Sequence, residues 1–300
     1  MSVFVKRNAT PSAFASSDSW VILSPIEQSI KRKIEAVGKP LKEWGVNIYR
    51  GILTGCNEAF IIDEVKRSEI LANCRDETER KRTDALIRPI LRGRDIKRYG
   101  YEWAGLYLIA THNGYGKTPR INIDNYPAIK KHLDLYWSEI SKRSDKGDTP
   151  YNLRNCAYMD DFDKPKIVWA DLARTGNAFI YDEKGFTSPN TTYLIASDDK
   201  SLLKYLIGVL NSKSILKYLD WISAKLDETG WRWFKQYVDT FPTPQVSYSL
   251  QKPIIELVDR ILAEKAVDAS ADTSQLEAKI DNLVFNLYGF TDEERLAIGI

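Results

Sequence analysis

The segment LRGRDIKRYGY, residues 91–101, decides how the middle of this chain is interpreted. The flanking runs IRPILRG and WAGLYLIAT are rich in apolar and aromatic residues, which predicts a strand on each side. Five cations lie in the segment or just before it, beside one acid and two tyrosines: Arg88, Arg92, Arg94, Lys97 and Arg98. The segment is therefore either a surface that binds an acidic polymer or a solvated turn between strands.

Basic residues are concentrated around this segment, although the net charge of the 300-residue chain is only +2. Residues 80–154 contain sixteen Lys or Arg against eight Asp or Glu, whereas residues 252–300 contain five against ten. A strongly basic region suits a polyanionic partner, and an acidic region repels one. The middle of the chain is therefore the predicted contact region for a polyanion, and the tail is not.

The composition, 43% hydrophobic and 28% charged, is that of a globular protein. No apolar run has the length of a membrane span, and the N-terminus lacks the ordered regions of a signal peptide, so we expect no membrane association and a cytoplasmic location. Three cysteines without CxxC spacing and two histidines argue against a disulfide framework or a zinc site.

Strands and helices are mixed without a regular strand-helix-strand repeat, which favours an α+β fold with a mixed sheet. SPIEQSIKRKIEAVG predicts a helix from about residue 24, because Ser24 and Glu27 can form a capping box before apolar residues at helical spacing. VNIYRGILTG, KIVWADLA and TTYLIAS predict strands.

The prolines of FPTPQ mark a predicted boundary, with a main domain over residues 1–245 and an acidic tail over residues 246–300. In the tail, PIIELVDRILAEKA and QLEAKIDNLVFNLYG predict a C-terminal helical hairpin. We expect the hairpin to pack on the main domain or on a partner.

Catalytic motifs are weak, and we assign no catalytic and no metal-binding residue. HNGYGKT is similar to a phosphate-binding loop, but Thr111 stands where that motif needs glycine and Pro119 interrupts the helix that must follow. Asp171, Asp182 and Lys184 leave a metal-dependent DNA endonuclease as an alternative, although YDEKGF is better explained as a turn. Neither a glycine-rich turn for a methyl donor nor a loop that holds a flipped adenine is found.

Polar, cationic and aromatic side chains of the predicted loops form the candidate DNA-contact set. Loop tips can present Arg and Lys to phosphates or guanine edges, and Asn to adenine. The set is Arg92, Lys97, Arg98, His112, Asn113, Tyr115, Lys117, Arg120, Arg143, Lys146, Arg154, Arg174, Arg232 and Lys235. For each residue alone, a solvated loop is an equal alternative. In GWRWFK, Trp231 and Trp233 are expected to pack while the two cations face solvent or DNA.

Several segments, in this order, resemble the C-terminal, TaqI-like target-recognition region of type IIG restriction-modification enzymes: NIYRGILTGCNEAFIID, LIRPILRGRDIKRY, LYLIATHNG, KIVWADLA, NTTYLIA, LIGVLNSKSILKYL and WRWFKQYVDTFPTP. Those enzymes are adenine-specific DNA methyltransferases, often fused to an endonuclease, and related regions occur in phage-defence methyltransferases. The resemblance implies a target-recognition domain that binds double-stranded DNA sequence-specifically and is not catalytic by itself.

The resemblance also implies partners and cofactors. The chain would serve a methyltransferase or endonuclease module in cis or in trans, and S-adenosylmethionine and Mg²⁺ would be needed only by those modules. A protein-interaction module of a methyltransferase complex is a further alternative, through exposed apolar faces of the helices within residues 253–288.

Two elements of the family carry over to positions in this chain. The TG-x-NEAF and RGRDI-x-RY elements correspond to Gly51, Thr54, Gly55, Asn57, Glu58 and Phe60, and to Gly93, Arg94, Asp95 and Tyr99. Because members that recognise different DNA sites share these residues, the resemblance implies that they shape the scaffold. Arg94 or Asp95 would then contact neighbouring strands, and Arg92, Lys97 and Arg98 would remain the phosphate candidates.

Overall fold

The computed structural model describes residues 23–173, 178–223 and 230–299, and its architecture is α+β, as the sequence predicts. The helices, in chain order, are α1 (Pro25–Val37), α2 (Asn57–Phe60), α3 (Glu64–Ala72), α4 (Glu77–Leu86), α5 (Pro127–Asp134), α6 (Trp137–Ile140), α7 (Lys200–Leu210), α8 (Lys213–Ile222), α9 (Lys235–Val238), α10 (Tyr248–Val267), α11 (Ser274–Tyr288) and α12 (Asp292–Ile298). Among the described residues, no helix combines the length and the apolar character that a membrane span requires.

The strands are short and form small sheets. In chain order they are β1 (Gly38–Pro40), β2 (Ile48–Arg50), β3 (Ile61–Asp63), β4 (Ile87–Pro89), β5 (Ile96–Lys97), β6 (Gly100–Tyr101), β7 (Leu106–Ile109), β8 (Lys166–Ala170), β9 (Leu172–Ala173), β10 (Phe179–Asp182), β11 (Thr192–Ala196), β12 (Trp231–Arg232) and β13 (Pro242–Pro244).

The chain divides into two compact units, each built from segments that are distant in sequence. The terminal unit comprises Met1–Val46, Ala173–Asn177 and Lys204–Ile300, and the central unit comprises Asn47–Leu172 and Ala178–Leu203. This division differs from the boundary at residue 245 that the prolines predict, because α1 belongs to the same unit as the acidic tail.

In the terminal unit, the acidic tail packs against the N-terminal helix. Glu294 of α12 accepts hydrogen bonds from the hydroxyl of Ser29 (2.7 Å) and the ammonium of Lys33 (2.6 Å), both on α1. Tyr288 of α11 donates through its hydroxyl to the carbonyl of Pro242 (2.6 Å) in β13, which pairs antiparallel with β1. Helix α1 and the C-terminal helices therefore belong to one core.

Helices α10 and α11 form the predicted C-terminal hairpin, and their apolar side chains lie inside the terminal unit. Ile254, Val258, Val284 and Phe285 are buried. Helix α7 approaches α10 at Gly208, where an added Cβ would lie 2.5 Å from Cγ2 of Ile254. The apolar faces that the protein-interaction alternative requires are thus largely covered, although single residues such as Val267 are exposed.

The central unit contains a four-stranded antiparallel sheet in the order β10-β8-β11-β2. Strand β8, KIVWA, is buried along its whole length; the apolar run from Ile167 to Ala170 predicts this, whereas Lys166 is buried as the ion-pair partner of Asp182. Trp169 of β8 lies opposite Phe179 of β10 and Tyr193 of β11. A second antiparallel sheet, in the order β3-β7-β4, packs into the same core.

The segment 91–101 folds as a turn followed by a hairpin. Gly93–Asp95 forms one turn of 3-10 helix, and β5 then pairs with β6, with Lys97 opposite Gly100. Tyr99 closes the hairpin in a left-handed conformation (φ 59°) that few residues other than glycine adopt. The backbone of this segment is therefore a turn and a hairpin in which Arg94 and Lys97 are exposed, whereas Asp95, Ile96 and Tyr99 are buried.

Candidate nucleic-acid interface

Two loops of the central unit contain most of the candidate DNA contacts, and a third loop is hydrogen-bonded to them. Loop A is residues 53–56, between β2 and α2; loop B is residues 112–121, after β7; and loop C is residues 141–155, after α6. Gly114 and Gly116 bend loop B because both adopt left-handed conformations (φ 87° and 52°). Tyr115 and Thr118 exchange backbone hydrogen bonds of 3.1 and 2.8 Å, so loop B is a tight hairpin with Lys117 exposed at its tip.

Arg143 of loop C is buried, with 7% of its surface exposed, and it connects loop C to loop A. Its two terminal nitrogens donate to four backbone carbonyls, those of Thr54, Asp145, Pro150 and Asn152. The guanidinium carbon also lies 4.5 Å from the centroid of the Phe60 ring. The terminal donors of Arg143 are thus engaged within the loops, and a DNA contact by Arg143 stays a prediction that would require these bonds to break.

Burial lowers the pKa of the Arg143 guanidinium to about 10, against the opposing influence of Cys56 and Asp145. The group remains a cation at neutral pH, and the ring face of Phe60 and the carbonyl oxygens supply the negative potential that stabilises it.

Asn152 of loop C holds the two ends of loop B together. Its side-chain amide donates to the carbonyls of His112 (3.3 Å) and Ile121 (2.9 Å), the first and last residues of that loop. Asn152 is 1% exposed, and its own carbonyl accepts from Arg143. Sequence reasoning missed Asn152, since an amide that binds distant backbone carbonyls leaves no motif in the chain.

Loops B and C are also joined near their tips. The amide nitrogen of Asn113 donates to Asp148 (2.9 Å) and Asn155 (2.5 Å), and its oxygen accepts from the backbone amide of Asp148 (2.9 Å). Gly147 allows this approach, because an added Cβ there would lie 2.5 Å from Cγ of Asn113. The Asn113 amide is thus engaged within the loops, and reading a base with it would require these bonds to break.

Loops B and C expose a group of cations: Lys117, Arg120, Lys146 and Arg154. Lys117 makes no hydrogen bond or ion pair with any residue that the structure describes. Lys146 donates to the carbonyl of Ser141 (2.7 Å), and the other two lie near acids: Arg154 is 2.9 Å from Asp145, and Arg120 is 3.8 Å from Asp148. These residues remain predictions as DNA contacts, and their positions on interlocked loops are compatible with that role.

His112 and Tyr115 lie half-buried in loop B. Their rings pack edge to face at 4.8 Å, and Nδ1 of His112 accepts a hydrogen bond from the Gly114 amide (3.3 Å). Burial and the charge of Arg88 lower the pKa of His112, which favours a neutral ring near pH 7. Both residues remain predictions as base contacts.

The structure exchanges the expected roles of Arg92 and Arg94. Asp95 is buried and accepts hydrogen bonds from the Arg92 amide (2.9 Å) and guanidinium (2.7 Å), so Arg92 stabilises the turn. Arg94 is exposed and has no hydrogen bond or ion pair within residues 23–173, 178–223 and 230–299. Its exposure makes Arg94 a further phosphate candidate, and a phosphate contact by Arg92, which pairs with the buried Asp95, stays a prediction.

The β5–β6 hairpin carries the other two cations of segment 91–101. Lys97 is exposed, with its ammonium 3.6 Å from Glu102, and Arg98 is half-buried, 5.7 Å from the ring centroid of Tyr99. Lys97 and Arg98 both remain predicted DNA contacts.

Two of the remaining candidates, Arg232 and Lys235, lie in the terminal unit. Trp233 is buried against Phe241, as expected, while Arg232 is half-buried over the ring of Phe234. Lys235 pairs with Asp239 at 2.6 Å. Arg174 falls in residues 174–177, outside the described residues.

Of the glycines in the two family elements, Gly51 has no room for a side chain and Gly93 has little. A Cβ on Gly51 would lie 2.0 Å from the carbonyl oxygen of Pro189, and one on Gly93 would lie 3.1 Å from Cβ of Ala170. Gly55 has a φ of 65°, and the neighbouring Thr54 hydroxyl donates to Asn57 at 2.5 Å. These contacts agree with a scaffold role for these residues.

The residues weighed for a metal-dependent nuclease do not form a cation site. Asp182 is buried and pairs with Lys166 at 2.5 Å, and it accepts the backbone amides of Lys184 (2.8 Å) and Phe186 (3.1 Å). Within the described residues, no group of three or more His, Cys, Asp or Glu side chains is placed to hold a metal ion. Asp182 is therefore a structural residue.

An α+β scaffold with interlocked, cation-bearing loops is suited to binding, because binding residues are commonly carried on loops that a rigid scaffold positions. The sequence model of the TaqI-like C-terminal specificity domain matches residues 88–243, just over half of the chain, and the chain belongs to this family.

A type II methyltransferase is similar in sequence to this chain. The chain is 25% identical over 289 residues to the type II methyltransferase M.PaeR7I of Pseudomonas aeruginosa, covering 94% of this chain and 45% of that protein. It therefore spans less than half the length of this relative.

The fold is similar to that of the type IIL restriction-modification enzyme MmeI, whose structure was determined in complex with DNA. The TM-score is 0.62 at 16% sequence identity, over 87% of this chain and 35% of that one. The type IIG restriction endonuclease BpuSI matches with a TM-score of 0.49 and 12% identity, over 89% of this chain and 34% of BpuSI.

Proposed function

We propose that this chain recognises a sequence of double-stranded DNA as the specificity part of a type IIG restriction-modification enzyme. The observation that carries the proposal is the interlocking of loops A, B and C within a scaffold of the specificity-domain family. Loops B and C, which lie inside the matched region, expose Lys117, Arg120, Lys146 and Arg154. Loops fixed by buried hydrogen bonds can present such side chains to DNA in a defined geometry.

The distribution of charge along the chain supports the same proposal. The basic region over residues 80–154 supplies electrostatic attraction for phosphates, and polar and aromatic residues at the same loops can read base edges. MmeI, which shares the fold, has been captured with DNA, in line with this use of the scaffold.

We assign catalysis to other modules. The DNA adenine methyltransferase and endonuclease activities, together with S-adenosylmethionine and Mg²⁺, would belong to partner modules joined in cis or in trans. Recognition by this chain would place the target adenine for flipping by the methyltransferase module.

Two experiments test the proposal. The chain first selects duplexes from a randomised library, and an enriched, labelled duplex is then titrated with the chain at increasing salt. We expect one short sequence to be enriched and its affinity to fall steeply with salt, because each contacted phosphate releases counterions. Failure to bind any duplex at low salt, up to high protein concentration, would contradict the proposed function. A separately expressed methyltransferase of the same system should co-elute with the chain if the modules join in trans.

A further inference from the structure

We propose that Arg143 is a positioning residue for sequence recognition: it holds loops A, B and C in the one arrangement that meets a DNA duplex, without touching the DNA. This inference rests on the proposed function, because loop position affects recognition only if the loops bind DNA.

The first argument is the way in which the side chain is used. Arg143 is buried, and both of its terminal nitrogens donate to carbonyls, of which Thr54 belongs to loop A and Asn152 to loop C. Buried carbonyls that lose their donors cost free energy, so the loops are stable in this arrangement only while the guanidinium is in place.

The second argument is the extension of the same network to loop B. Asn152, whose carbonyl accepts from Arg143, donates through its amide to the carbonyls of His112 and Ile121 at the two ends of loop B. The backbone amide of Leu153 donates to the Thr111 carbonyl (2.8 Å), immediately before that loop. Displacing Arg143 therefore affects the support of loop B as well as loops A and C.

The third argument is the need for arginine in particular. A guanidinium is a flat fork with donors on two terminal nitrogens, and it stacks on the face of Phe60 while reaching four carbonyls. A lysine ammonium has three donors at a single point and no flat surface, so it cannot reproduce this set of bonds. Arg143→Lys thus keeps the positive charge but loses the set of hydrogen bonds to the four carbonyls and the flat contact with the Phe60 ring.

Loops that are fixed before binding lose less conformational entropy when they meet DNA. They also hold Arg120 and Arg154 at fixed positions relative to each other, which matters for sequence-specific contacts more than for general attraction to phosphates. Loss of Arg143 should therefore reduce discrimination between sequences more than it reduces non-specific affinity.

Hydrogen exchange on the free protein tests the structural half of the proposal without DNA. In Arg143→Lys we expect amides of residues 53–56, 112–121 and 143–155 to exchange roughly tenfold faster or more, while those of β8 and β11 stay protected. The matched control is Arg80→Lys, an exposed arginine of α4 in the same unit but outside the three loops, which should leave all three loops unchanged. Unchanged exchange in the loops, or an equal increase throughout the central unit, would overturn the proposal.

DNA selection tests the functional half. Arg143→Lys should lose roughly tenfold or more of the preference for the sequence that the wild type enriches, with a salt dependence close to that of the wild type. Wild-type discrimination in Arg143→Lys refutes the positioning role while leaving the proposed function intact. Absence of DNA binding by the wild type refutes both, and the exchange pattern then reports only on folding.

A second variant covers the case in which Arg143→Lys does not fold. Asn152→Ala removes the amide that holds loop B but retains the backbone carbonyl that binds Arg143. We expect faster exchange in residues 112–121 with loop A unchanged, together with reduced discrimination. Full discrimination with a loosened loop B would contradict the network.

Discussion

Arg143 donates a hydrogen bond to the backbone carbonyl of Thr54, 89 positions earlier in the chain. Thr54 donates in turn through its hydroxyl to Asn57, so a conspicuous family element and loop C meet at one residue. A cation in the basic middle of the chain thus binds backbone carbonyls. A count of cations in the sequence does not distinguish such a buried residue from the exposed ones.

Lys117 is expected to contribute to affinity without contributing to sequence choice. Lys117→Ala should weaken binding to all duplexes to a similar extent and reduce the slope of log affinity against log salt by about 0.9, the contribution of one phosphate. Fluorescence anisotropy across a salt series measures this slope. Lys252→Ala, at an exposed position of α10 in the acidic tail, is the control. An unchanged slope in Lys117→Ala would exclude a phosphate contact by this residue.

Arg92 and Arg94 are expected to differ in effect although they are two residues apart. Arg92→Ala leaves the buried carboxylate of Asp95 without its cation, which should reduce the free energy of unfolding by roughly 1–3 kcal/mol. Arg94→Ala should change stability by less than about 0.5 kcal/mol, because the side chain is exposed, yet weaken DNA binding. Urea unfolding and DNA titration of both variants measure the two effects. A loss of stability in Arg94→Ala, with weakened DNA binding but unchanged stability in Arg92→Ala, would instead support the roles expected from the sequence.

Gly51 lies so close to the backbone of Pro189 that alanine cannot be accommodated without displacing a strand connection. Gly51→Ala should destabilise the protein by about 1–3 kcal/mol or more, since the added Cβ would stand 2.0 Å from a carbonyl oxygen. Gly45→Ala is the control: it has a left-handed φ of 73° but open space around it, so it should cost only about 1 kcal/mol. Thermal unfolding compares the two, and equal costs would contradict the close approach.

The buried pair of Lys166 and Asp182 should be costly to break. Asp182→Asn leaves the Lys166 ammonium buried without a counter-charge, and we expect a loss of about 3–5 kcal/mol of stability. Lys166→Met combined with Asp182→Asn should cost less than Asp182→Asn alone, because no charge is then left buried and the Asn oxygen can still accept from the backbone amides. Denaturant unfolding gives both values, and a near-neutral Asp182→Asn would contradict the structural role.

The endonuclease alternative is tested by incubating the chain with plasmid DNA. The chain is expected not to cleave plasmid DNA in the presence of Mg²⁺. Cleavage that Asp171→Ala abolishes in a folded protein would instead support an endonuclease activity.

Stability should decrease in acid through Glu294. Burial alone would raise the pKa of this carboxyl, but hydrogen bonds from Lys33, the Thr291 amide and Ser29 outweigh it and lower the pKa to about 2. Since the folded-state pKa lies below the ordinary value of 4.5, the stabilisation is fully present above pH 4.5 and is lost as the pH falls towards 2. Lys33→Met should be less stable at pH 7 and show a flatter pH dependence than wild type in urea unfolding; parallel curves would argue against the linkage.

The sequence by itself determined the α+β class, the capped helix α1, the C-terminal helical hairpin and the basic character of residues 80–154. These features follow from local rules: capping residues, apolar periodicity and charge counts are written in neighbouring positions. The ordered family motifs likewise lie in short segments, so the family could be recognised without coordinates.

Only the tertiary structure decided which cations face solvent and which support the scaffold. The burial of Arg143, the exchange of roles between Arg92 and Arg94, and the grouping of α1 with the acidic tail all depend on partners that are remote in sequence or on side-chain direction within a turn. Backbone carbonyls are the acceptors in the loop network, and every residue carries one, so no sequence pattern marks those that Arg143 and Asn152 select.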